Sequence, residues 1–150
     1  MSSANTKIFT IGFAGTTAEH FFDRLKNAGV EKVIDTRLWA DTQLAGFAKK
    51  KNLPYFLKNL ANAGYEHRVE LAPSEDILTD FKNKKINWAT YEIRYNQLLN
   101  DRQTAQRLSP EDVSSGCFLC SEPRPEFCHR RLLAEYLQRE WNTPIEIIHL

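Results

Sequence analysis

A chain of 150 residues, 42% hydrophobic and 26% charged, has the balance of one globular domain, and its formal net charge of +1 excludes a strong electrostatic commitment to DNA, membranes or acidic partners. No window approaches the roughly 20 apolar residues of a membrane helix, and Met1 to Thr10 lacks a long apolar core, so a membrane-free, cytoplasmic protein is expected. Three cysteines cannot all pair within one chain, which leaves reduced thiols, a metal site or a reactive thiol as the options.

The first element is a strand, Lys7-Ile8-Phe9-Thr10-Ile11, rich in β-branched and aromatic residues and ending at Gly12, where the backbone can turn sharply. Thr16-Thr17-Ala18-Glu19 has the spacing of a capping box, and Phe21, Phe22, Leu25 and Ala28 follow at helical spacing before Gly29 stops the helix. Lys32 to Arg37 reads as a second buried strand. A β-α-β unit with a right-handed crossover, and therefore a parallel sheet, is expected.

The middle of the chain reads as mostly helical. Pro54 opens a segment with Phe56, Leu57, Leu60 and Ala61 on one side. Pro73-Ser74 precedes a second around Ile77, Leu78 and Phe81, and a third holds Tyr91, Tyr95, Leu98 and Leu99. Between the first two, Tyr65 to Val69 alternates as a short strand would. The groups Lys49–Lys51 and Lys82, Lys84, Lys85 read as solvated faces. Ser109 to Asp112 has turn composition, Gly116–Cys120 is a buried strand, Pro125 suits a helix start running to about Glu140, and Ile145–His149 is a last strand. The expected architecture is a single three-layer α/β domain over residues 1–150: a mainly parallel central sheet, helices on both faces and a helical middle segment.

The chemistry concentrates in Cys117 to Arg130, which holds all three cysteines with Glu122, His129 and Arg130. If the first, second and Gly116–Cys120 strands are parallel neighbours, their carboxyl ends gather Gly12, Asp35, Arg37, Cys120 and Glu122, the edge where open α/β sheets bind ligands. The helix start near Cys128-His129-Arg130 favours anions, a thiolate included. A zinc half-site from Cys117 and Cys120 is disfavoured, because residues three apart in a strand point to opposite faces. Cys117 reads as a small buried hydrophobe. Cys120 and Cys128 are candidate nucleophiles with two inert thiols as the alternative, and His129 is a candidate acid or base that could equally cap or pack. Arg37 and Arg130 suit bidentate anion binding, or a structural pairing with Asp35 or Glu122. His20, His67 and His149 read as surface or core residues, and Trp39, Trp88 and Trp141 as core or edge packing, Trp39 also being placed to line a pocket floor.

These motifs resemble the DUF488 family, small proteins of unassigned function. The resemblance rests on Thr10-Ile11-Gly12, Asp35-Thr36-Arg37, Gly46-Phe47, Tyr91, and Leu119-Cys120-Ser121-Glu122 joined to Cys128-His129-Arg130. It implies one shared site from Asp35, Arg37, Cys120, Glu122, Cys128, His129 and Arg130, with Gly12 and Tyr91 beside it. Two departures stand out. Gly12-Phe13-Ala14 replaces the usual Gly-His-Ser, and Leu71-Ala72-Pro73 lacks the usual Leu-Gly.

The favoured function is a thiol-dependent transferase or hydrolase acting on an anionic substrate, a nucleotide or nucleic-acid base being candidates. Cys120, Glu122, Cys128 and His129 would be catalytic, and Gly12, Asp35, Arg37, Tyr91 and Arg130 substrate-binding. One alternative is a binding module without catalysis, in which Lys49–Lys51, Arg68, Arg102 and Arg107 contact phosphates and Trp39 or Tyr65 stacks on a base. A rhodanese-like sulfur or phosphoryl transfer is the other, since Val33 to Arg37 is similar to the Asp-x-Arg strand of rhodanese domains. Ser121 to Pro125 fits that loop poorly, because two prolines remove N–H donors. No cofactor is expected. A metal at Cys120, Cys128 and His129 is left open, as is a purely structural clasp.

Overall fold

The computed structural model describes residues 5–41 and 46–150. Residues 1–4, which fall in the N-terminal stretch read above, lie outside the described residues.

The sheet has five strands, β1 (Thr6–Gly12), β2 (Lys32–Asp35), β3 (Gly64–His67), β4 (Gly116–Cys120) and β5 (Ile145–His149), in the order β3-β2-β4-β1-β5, and every pairing is parallel. The helices among the described residues are α1 (Ala18–Ala28), α2 (Leu53–Leu60), α3 (Glu75–Lys82), α4 (Trp88–Asp101), α5 (Thr104–Arg107), α6 (Pro110–Val113) and α7 (His129–Glu140). This is the expected α/β class.

The pleat sorts the core into two. Ile8, Ile34 and Phe118 point to one face and pack with Tyr95, Leu99, Leu133 and Leu137 from α4 and α7. Phe9, Ile11, Val33, Cys117 and Leu119 point to the other face and pack with Phe21, Leu25, Leu53 and Leu57 from α1 and α2. Alternate residues of β1, β2 and β4 thus serve opposite layers, which is why apolar residues follow one another along the buried parts of these strands. No helix among the described residues is long and apolar enough to cross a membrane.

Several boundaries differ from the expectation. The side chain that caps α1 is Thr17, accepting from the His20 amide at 3.1 Å, so the helix starts one residue later than a box on Thr16 requires. The second strand ends at Asp35, because Arg37 folds back onto the Asp35 carboxylate. The Ser109 to Asp112 stretch is α6, held by a reciprocal capping box between Ser109 and Asp112. The alternating Tyr65 to Val69 segment is β3 only to His67, and Val69–Leu71 forms a 3-10 turn. The helix expected from Pro125 begins at His129. Pro125 to Cys128 makes a tight turn in which the Cys128 amide donates to the Pro125 carbonyl at 3.2 Å.

Candidate functional site

Strand register sets the site. Gly12 at the end of β1 lies opposite Cys120 at the end of β4, and Asp35 at the end of β2 lies opposite Leu119. The chain then leaves the sheet through Ser121–Phe127 and returns as α7, whose first residues His129 and Arg130 are buried against the same strand ends. Gly12, Asp35, Arg37, Cys120, Glu122, Cys128, His129 and Arg130 lie at or next to the carboxyl ends of β1, β2 and β4.

Arg130 is fully buried yet meets no carboxylate within ion-pair distance among the described residues. Its Nε donates to Thr10 Oγ1 at 3.2 Å, Nη1 donates to the Glu122 carbonyl and to Cys120 Sγ at 3.3 Å, and Nη2 donates to the Pro123 carbonyl at 3.5 Å. Burial is the main influence on this guanidinium and lowers its pKa to about 10. The guanidinium therefore stitches β1, β4 and the 121–125 loop together while its charge faces a sulfur. Gly12 makes the approach possible, since a β-carbon there would overlap the Glu122 carbonyl and Arg130 Nη1.

Arg37 has the opposite arrangement. Its Nε and Nη2 grip the Asp35 carboxylate at 2.8 and 2.7 Å, and Nη2 also reaches the Ala48 carbonyl. Tyr65 donates to the same carboxylate at 2.6 Å, so the oxygens of Asp35 are committed to positioning Arg37. The Nη1 of Arg37 is buried without a hydrogen-bond partner among the described residues.

His129 is held in one tautomer. The Thr36 hydroxyl donates its proton to the Leu119 carbonyl at 2.8 Å, so Thr36 Oγ1 can only accept from His129 Nε2, 2.9 Å away, as does the Thr36 carbonyl at 2.9 Å. Nε2 thus carries the proton and Nδ1 keeps its lone pair. Burial, reinforced by Arg130 and opposed by the Thr36 carbonyl, lowers the His129 pKa to about 4, which keeps the ring neutral.

Cys120 and Cys128 are joined by a disulfide, and both are buried. The notion of reduced thiols thus meets a bridged pair: the end of β4 and the N-cap of α7 face each other across the loop. The two sulfurs and a ring nitrogen of His129 lie within 4.8 Å of one another. Cys117 is a free thiol in the core on the α1–α2 side, and burial raises its pKa.

A cavity of about 850 Å³ opens at this edge, and its lining reaches His129 but neither of the bridged cysteines nor Arg130. Arg37, Ser121, Glu122 and His129 line one part, Trp39, Leu78, Phe81 and Ile86 supply apolar wall, and Lys82, Lys84 and Lys85 add positive charge. The lysine group expected to be a solvated face is exposed, and it also borders the cavity. Tyr91 sits in the core, stacked on Trp88 with ring centroids 4.5 Å apart, and burial, aided by the charge of Glu122, raises its pKa. Thr10, Thr36 and Tyr65 were not singled out for this site from sequence; each acts by a contact that only the fold creates. Arg68, Arg102 and Arg107 share a second cavity of about 620 Å³. Arg68 is engaged there by Glu66 and Glu70, and Arg102 by the Glu70 and Ala72 carbonyls.

A family model described as a domain of unknown function, DUF488, matches residues 17–137 of the 150, and the chain belongs to that family. No curated protein and no solved structure matches it.

Proposed function

We propose that this DUF488 protein is a thiol-dependent enzyme acting on an anionic substrate, with Cys120 as the nucleophile. The observation that carries the reading is Arg130, a buried cation with no carboxylate in ion-pair distance among the described residues, whose Nη1 lies 3.3 Å from Cys120 Sγ. Once the disulfide is reduced, the guanidinium favours the thiolate of Cys120 over its thiol, as a nearby arginine does for reactive cysteines. The lysines at 82, 84 and 85 provide the positive potential that draws an anion into the cavity, while the charge of Arg37 is matched by Asp35. In the covalent step Cys120 Sγ bonds to the electrophilic atom of the substrate, and the leaving group departs with the electron pair of the broken bond. Glu122 or His129 Nδ1 relays the proton.

The test is competitive labelling of reduced protein with iodoacetamide, read by mass spectrometry at each cysteine. Cys120 is expected to react at least about tenfold faster than Cys128, and Arg130→Met to remove the difference. Equally slow labelling of both cysteines overturns the reading.

A further inference from the structure

We propose that the reduced form of Cys120, Cys128 and His129 is a binding site for a thiolate-seeking divalent cation of the zinc class, exclusive of the disulfide. The two sulfurs and a ring nitrogen of His129 already lie within 4.8 Å of one another and all belong to buried residues, so the fold brings one ligand atom from each residue to a common point. The set is chemically right: thiolates and a neutral imidazole are the ligands such a cation takes, and three of them leave one position for water or a further ligand.

The ring of His129 is prepared for this role. Its Nε2–H is fixed by the Thr36 hydroxyl and carbonyl, which leaves the Nδ1 lone pair available and the ring orientation set. A backbone or hydroxyl acceptor behind the non-ligating nitrogen is the arrangement that orients metal-binding histidines. Cys117, the remaining cysteine, takes no part, because its side chain points to the opposite face of the sheet.

Charge decides between the forms the pair can take. Two thiolates buried beside one guanidinium would leave an uncompensated negative charge, whereas a zinc dithiolate is neutral, as the disulfide is. Reduction of the disulfide takes two electrons from a thiol or phosphine reductant and two protons, which the thiol supplies itself and which water supplies as a phosphine becomes its oxide. Binding of the cation then releases the two thiol protons and forms the metal–sulfur bonds. Because the metal takes the lone pair of Cys120, occupancy silences that thiol. This consequence rests on the nucleophile reading above; the binding itself does not.

The experiment titrates cobalt(II), a spectroscopic stand-in for zinc, into full-length protein reduced with a phosphine and freed of reductant. One equivalent is expected to give a thiolate-to-cobalt charge-transfer band that zinc abolishes. Cys128→Ser and the oxidised protein should give no such band, Cys117→Ser should retain it, and His129→Gln should weaken binding by about tenfold or more. No band, or a band that survives Cys128→Ser, overturns the site. In parallel, one equivalent of zinc should protect Cys120 from iodoacetamide. A band with slow labelling of metal-free Cys120 sinks the nucleophile reading and keeps the metal site; fast labelling with no band does the reverse.

Discussion

Arg130 Nη1 and Cys120 Sγ lie 3.3 Å apart at the end of β4, with the guanidinium completely buried. A cation taken out of water is tolerated only where its donors are met. Here the Thr10 hydroxyl and the Glu122 and Pro123 carbonyls meet them, together with a sulfur that becomes ionisable once the disulfide is reduced.

Arg130→Met should therefore cost about 3 kcal/mol of stability, because a side chain of similar length leaves several acceptors unpaired. The loss should be localised: limited proteolysis is expected to cut first within the 121–125 loop that the guanidinium ties down. Urea unfolding that shows no loss would mean the loop is held by other contacts.

Gly12 gives a sharper test of the same packing. Gly12→Ala drives a methyl into the Glu122 carbonyl and Arg130, so a loss of at least about 2 kcal/mol is expected from overpacking against backbone. Gly15→Ala is the control. Its added methyl meets open space, and only the left-handed backbone at φ 74° resists, at about 1 kcal/mol. Denaturant midpoints in the reverse order would contradict the close approach.

How much of this was legible follows a physical line. β1, β4 and β5 are announced by apolar runs, and α1 by its helical spacing and Gly29, because local sequence suffices to specify them. Cys120, Cys128 and His129 stand out because their chemistry is dense in a short segment. The rest depends on which distant groups the sheet order brings together. Thr36 looks like an ordinary strand residue until Leu119 and His129 flank it, and the solvated lysines at 82, 84 and 85 gain a neighbour in the cavity only through the sheet order. Pro125 fits a helix start, yet the tertiary closure onto Cys120 delays the helix to His129.

The Asp35–Arg37 pair should behave as a buried ion pair. Asp35→Ala strands the Arg37 charge and is expected to cost about 3–5 kcal/mol. Tyr65→Phe removes a donor to the same carboxylate and should cost about 1.5–3 kcal/mol. The partly exposed Lys32–Glu66 bridge offers the comparison: Glu66→Gln is expected to cost less than about 1 kcal/mol. Similar losses for Asp35→Ala and Glu66→Gln in thermal unfolding would show that Asp35 is wetter than its burial indicates.

Cys117 sets the baseline for every thiol measurement. Burial raises its pKa, so the group stays protonated, and it lies in the core out of reach of reagent. No labelling of native protein is expected at this position between about pH 6 and 9, with full labelling once the chain is unfolded. Modification of the native state at a rate that rises with pH would mean that the α1–α2 layer opens locally.

The tautomer of His129 can be read directly. With Thr36 Oγ1 already donating to Leu119, nitrogen-15 spectra of the oxidised protein near neutral pH should show Nε2 protonated and Nδ1 bare. Thr36→Val keeps the carbonyl acceptor but removes the hydroxyl. The tautomer should survive, with a loss of about 1 kcal/mol in stability for the missing bonds. A protonated Nδ1 in the wild-type protein would remove the lone pair on which both proton relay and metal ligation at this ring depend, and would require the Thr36 hydroxyl to turn away from Leu119.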